Sequence, residues 1–146
     1  MRNWLVVANA ARARILEATA ESGSYVHRAD LVHAQSRQKG VDLDTARAGH
    51  VKGSAPGPGG AAYEPRTSAR DREHDRFAHE LAAVLNNGVS RGECGGLILV
   101  ASNPFLGLLK SHLKQHARQV LLNTVPSDYT SLTEAEIDRR LRMPQL

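Results

Sequence analysis

Trp4 to Ala8 and Leu97 to Ala101 are short, unbroken apolar runs rich in branched residues, the pattern of strands buried on both faces. Ala13 to Ala18, with Ile15 and Leu16, follows the first run after a small Arg-containing turn and reads as a second strand. Glu21-Ser22-Gly23-Ser24 marks a turn, and Tyr25 to His33 alternates well enough to be a third strand, so the chain opens on a predicted antiparallel meander. From Ala34 to about Ala69 branched apolar residues almost vanish, and Gln35 to Gly40 lead into a Gly- and Pro-rich stretch at 53–60. That composition predicts a long, mildly cationic loop at about 35–69. Ser68 or Asp71 then opens a helix to about Asn87, with Phe77, Leu81, Val84 and Leu85 on one face and Asn86-Asn87-Gly88 as its stop.

The run 97–107, Leu-Ile-Leu-Val-Ala-Ser-Asn-Pro-Phe-Leu-Gly, turns from strand into helix. Ser102 or Asn103 can cap, and Pro104 suits the first helical position because its missing N–H would have no partner there. A strand-to-helix corner of this kind is the usual ligand position in an open α/β sheet, which makes Ser102 and Asn103 a candidate anion site. Leu106, Leu109, Leu113, Ala117 and Val120 recur at three and four and predict one continuous helix. Val120 to Val125 reads as the last strand, and Thr133-Glu134-Ala135-Glu136 is a capping box that starts a short helix through Arg142. The order β-β-β-loop-α-β-α-β-α predicts a three-layer α/β/α fold with a mixed five-stranded sheet, the plan of ribonuclease-H-like domains.

Length and charge narrow the partners. With 146 residues, 41% of them hydrophobic, the chain suits a single domain spanning 1–146. A formal charge of +4 and a pI near 9.6 give a positive field that favours polyanions. The lone Cys94 forms no internal disulfide, and the five apolar residues at 4–8 fall short of the roughly 7–15 of a secretory signal. A cytoplasmic protein without membrane insertion is expected.

The chemistry-bearing residues are sparse. A two-metal nuclease needs converging carboxylates, and the first strand offers Asn9 where an acid is wanted. His112 and His116 lie four apart, a spacing that can clamp a metal, but no third ligand is evident and a solvated flank is the plainer reading. No metal or cofactor is therefore expected. His74 and His79 neighbour Asp71, Asp75 and Glu80, a pairing common on helices by chance. Cys94 beside Glu93 has no activating partner. Lys110, Lys114 and Arg118 form an i, i+4, i+8 stripe that can neutralise successive phosphates, which Arg12 and Arg14 extend if they face the same way.

The opening from Trp4 to Leu16, the Arg70-Asp71-Arg72-Glu73 helix with Phe77-Ala78, and Pro104-Phe105-Leu106-Gly107-Leu108-Leu109 before a final Val-rich strand together resemble the bacterial host-attachment protein family. That family is similar to the middle domain of archaeo-eukaryotic peptide-chain release factors and of Pelota. In those release factors a Gly-Gly-Gln loop tip promotes ester hydrolysis at the ribosomal peptidyl-transferase centre. Here the matching loop reads Gly59-Gly60-Ala61, without the glutamine. The resemblance implies a non-enzymatic domain that binds RNA or the ribosome, with an indirect part in attachment and with Arg12, Arg14, Arg66, Arg70, Lys110, Lys114 and Arg118 as phosphate contacts. Two alternatives remain: a hydrolase of an ester or phosphodiester with His74 or His112 as base, and a homodimeric protein-interaction module.

Overall fold

A computed structural model describes residues 2–18, 24–33 and 59–142, with side chains of the long helix from Ala69 onward. Strands β1 (Arg2–Ala8), β2 (Arg12–Ala18), β3 (Tyr25–Val32), β4 (Cys94–Val100) and β5 (Leu121–Val125) form one sheet in the order β3-β2-β1-β4-β5. The first three pair antiparallel as a meander, while β1 with β4 and β4 with β5 run parallel. The mixed five-stranded sheet expected from the apolar pattern is thus present. Helices α1 (Gly59–Ser90), α2 (Phe105–His112), α3 (Gln115–Arg118) and α4 (Glu134–Arg142) complete it.

Strand β1 lies in the middle of the sheet, which is why residues 4–8 are apolar at every position: successive side chains enter opposite layers. Trp4, Val6 and Ala8 join Ile15, Leu97 and Leu99 in a core packed under α1, α2 and α3 through Phe77, Leu81, Leu85, Leu109 and Ala117. Leu5 and Val7 join Leu16, Val100, Val125, Tyr129 and Ile137 in a second core, on the face covered by α4 and the turn before it. Helix α4 starts as its sequence signature predicts. The Thr133 N–H donates to Glu136 Oε1 at 2.9 Å and the Glu136 N–H to Thr133 Oγ1 at 3.1 Å. These bonds to Thr133 hold the Glu136 carboxyl below its usual pKa.

Three boundaries differ from the sequence expectation. Helix α1 begins at Gly59, so Gly59, Gly60 and Ala61 form its first turn and are not a loop tip. The remainder of the expected loop, 35–58, lies outside the described residues. The same helix runs past Asn86-Asn87-Gly88 to Ser90, and the left-handed residue that ends it is Gly92, at φ 76°. There the Glu93 N–H donates to the Gly88 carbonyl at 2.9 Å. The predicted single helix from 104 to 120 is broken at Leu113, whose backbone is extended (φ −71°, ψ 134°).

Candidate nucleic-acid interface

The break between α2 and α3 is organised by one buried side chain. Asn86 of α1 donates from Nδ2 to the His112 carbonyl at 3.3 Å and accepts the Lys114 N–H at Oδ1 at 2.9 Å. Its amide therefore satisfies an acceptor and a donor released where the helix stops. The Asn86 carbonyl in turn accepts from His116 Nε2 at 3.0 Å. Arg118 reaches back, donating from Nη2 to the carbonyls of Lys110 and Ser111 at 3.3 Å each. Lys110, Lys114 and Arg118 are all exposed, yet they sit on two helices and the gap between them and do not form a straight helical stripe. What survives is a compact basic ridge. From Phe105 to Gln119 the chain carries these three cations, two histidines and no acidic residue.

Arg12 and Arg14 do not extend that ridge. In β2 they alternate with Ala13 and Ile15, which face the α1–α3 layer, so period two sends both arginines to the opposite face. There Arg12 Nη2 donates to the Thr130 carbonyl at 3.0 Å, and Arg14 Nη2 to the carbonyls of Thr130 and Leu132 at 2.9 Å each. Arg70 is exposed on α1. The Arg66 side chain lies outside the described residues.

The corner after β4 opens a crevice of about 360 Å³ lined by Asn9, Ala10, Ala11, His74 and Ser102 to Phe105. It lies beyond the carboxyl ends of β1 and β4, where the chain leaves in opposite directions to β2 and to β5, the switch-point position expected for a ligand. The predicted caps are absent. Pro104 itself occupies the N-cap with α-helical backbone angles, neither Ser102 nor Asn103 caps α2 by its side chain, and the Leu106 N–H is taken by the Ser102 carbonyl at 3.0 Å. The Asn103–Pro104 peptide is cis.

Asn9 at the crevice rim is fully engaged. Its Oδ1 accepts the Ala11 and Arg12 N–H groups at 2.8 and 3.0 Å, and Nδ2 donates to Thr130 Oγ1 at 3.1 Å and Asp128 Oδ2 at 3.4 Å. Asp128 Oδ1 also accepts from the Thr130 N–H at 2.9 Å and Oγ1 at 2.6 Å. Partial burial disfavours the Asp128 carboxylate, but the bonds from Thr130 and Asn9, with Arg12 nearby, outweigh it and hold the pKa below the usual value of 3.8. A lowered pKa stabilises the fold above the unfolded value and is lost as pH falls through the folded one. Asp128→Asn should therefore lower stability at neutral pH and flatten the decline below about pH 4. Thermal unfolding between pH 7 and pH 2 checks this, and an unaltered acid limb would show that Asp128 is not a source of it.

The histidines separate. His112 Nε2 pairs with Asp75 Oδ1 at 2.7 Å across α1 and α2, with His79 edge-on to it at 5.1 Å, whereas His116 turns to Asn86 and to Ser90 Oγ at 3.4 Å. The i, i+4 pair thus engages two different neighbourhoods. Among the described residues no group of three His, Cys, Asp or Glu side chains is placed to hold a metal ion. Burial, more than any carboxylate, pushes the Cys94 thiol above its usual pKa, with Glu17 adding to it. The signal missed in the sequence is Asn86, which reads as a helix stop and acts as the bracket of the basic ridge.

The fold defines an α/β domain, and the family model described as "Protein required for attachment to host cells" matches residues 4–141. The chain belongs to that host-attachment family. No curated protein matches it. No described helix is long and apolar enough to cross a membrane.

Proposed function

We propose that this host-attachment family member is a ribonuclease-H-like domain, akin to the release-factor middle domain, that binds RNA or an RNA-rich ribosomal surface through Lys110, Lys114 and Arg118. The carrying observation is the stretch from Phe105 to Gln119, which has three exposed cations and no acid of its own, its backbone pinned by Asn86 and by the Arg118 bonds to α2, with Asp75 of α1 paired to His112 beside it. Such a cluster gains affinity by releasing counterions from phosphates, which needs positive charge without competing carboxylates. The mixed five-stranded sheet in the order β3-β2-β1-β4-β5 supports the same reading. Gly59-Gly60-Ala61 carries no glutamine and opens α1, so this reading rests on binding and assigns no hydrolytic step. A part in attachment then follows indirectly, through an effect on RNA or translation inside the cell.

Reversal of the two lysines provides the test. Lys110→Glu with Lys114→Glu should weaken binding to a ribosomal RNA fragment by more than about tenfold and reduce the salt slope by roughly two phosphate contacts. Fluorescence anisotropy over a salt series measures both. Equal affinity and slope in the double variant would remove the ridge from the interface.

A further inference from the structure

On the sheet face away from the basic ridge, a cavity of about 350 Å³ lies between β2, β3 and the turn carrying Thr130. We infer that it is a separate binding site for a small phosphomonoester, held by the Arg12 and Arg14 guanidiniums. The two side chains stand two residues apart on one strand, about 7 Å, so both heads reach one cavity. A guanidinium has five N–H donors. Arg12 directs one to Thr130, and Arg14 directs two from Nη2 to Thr130 and Leu132, which aim both heads and leave further donors on each.

Two acids border these heads, Asp30 in the lining itself and Asp128 beside Arg12. Asp30, opposite Arg14 in register, pairs with His27 at 3.0 Å, and both Asp128 oxygens accept from Thr130 or Asn9. Two guanidiniums and one carboxylate, that of Asp30, line the cavity, so the charges of the lining arginines and acid sum to a positive value. One fork suits a carboxylate. Two forks suit the three oxygens and nearly double negative charge of a phosphomonoester. Val32, 46% exposed, lines the same space and offers apolar contact to the organic part, in a volume at the small end of ligand sites.

Calorimetric titration of the full chain with inorganic phosphate, glycerol phosphate, a nucleoside 5′-monophosphate, the bare nucleoside and malonate tests the site. Saturable one-site binding is expected for the organic phosphates, at least about tenfold tighter than for malonate, with no binding of the bare nucleoside. Arg12→Gln should weaken it by about tenfold or more. Because loss of an arginine also loosens the Thr130 turn, a second variant leaves that clamp in place. Val32→Glu sets a carboxylate beside Arg12, its cross-strand neighbour, and should abolish binding while thermal unfolding stays near that of the parent. Absence of saturation by ~10 mM phosphomonoester would overturn the inference, because the site would then be too weak to matter. So would undiminished binding in Val32→Glu, which would place the anion on another surface such as the Lys110–Lys114 ridge. Binding confined to RNA oligonucleotides would overturn it equally.

Discussion

Gly88→Ala should destabilise the protein by about 2 kcal/mol or more, although alanine is the better helix former by about 1 kcal/mol. A Cβ at this position would sit 2.3 Å from Cη2 and 2.6 Å from Cζ3 of Trp4. The indole cannot yield cheaply. It is 2% exposed, and the Arg28 guanidinium lies 4.4 Å from its ring while bonded to Glu17 at 2.6 Å. Gly107→Ala, on the exposed face of α2, meets nothing nearer than Asn103 Oδ1 at 3.8 Å and should stabilise by about 0.5–1 kcal/mol. The same substitution thus has opposite signs at two helical glycines. Paired thermal melts decide it, with Tm falling by about 4–8 °C for the first and rising by a few degrees for the second. A Gly88→Ala protein as stable as its parent would mean that the indole does not seat against α1.

Asn86→Leu carries the second large effect. Leucine is apolar and of similar size, but it leaves the His112 carbonyl and the Lys114 N–H without their partner at a helix break packed against α1. Each orphaned group costs about 1–3 kcal/mol where water is excluded, so a loss of about 3 kcal/mol is expected. Asn86→Asp keeps the acceptor for Lys114 but sets a carboxylate oxygen against the His112 carbonyl in a buried place, so it should destabilise as well. Chemical denaturation measures both losses. An Asn86→Leu protein as stable as its parent would show that the side chain fills space and does not pin the break.

The strands were legible because their burial is written in single stretches. Trp4 to Ala8 is apolar throughout and proved central, and Thr133 and Glu136 announced α4 by local chemistry alone. The helix break was not legible, because Leu109, Leu113 and Ala117 are all buried and keep helical spacing across it. Its cause, Asn86, comes from another element more than two dozen residues upstream. The orientation of Arg12 and Arg14 relative to Lys110 depended on which face of the sheet α2 covers, a tertiary fact that strand alternation alone leaves open. Gly59 and Gly60 have low helix propensity, so the stretch that opens α1 read as loop.

Co-sedimentation of the full chain with isolated ribosomal subunits at about 50 and 200 mM salt tests the polyanion-binding claim most directly. Three phosphate contacts from Lys110, Lys114 and Arg118 predict association at the lower salt that weakens roughly forty-fold at the higher. A chain that stays in the supernatant at the lower salt, or pellets equally at both, would contradict it.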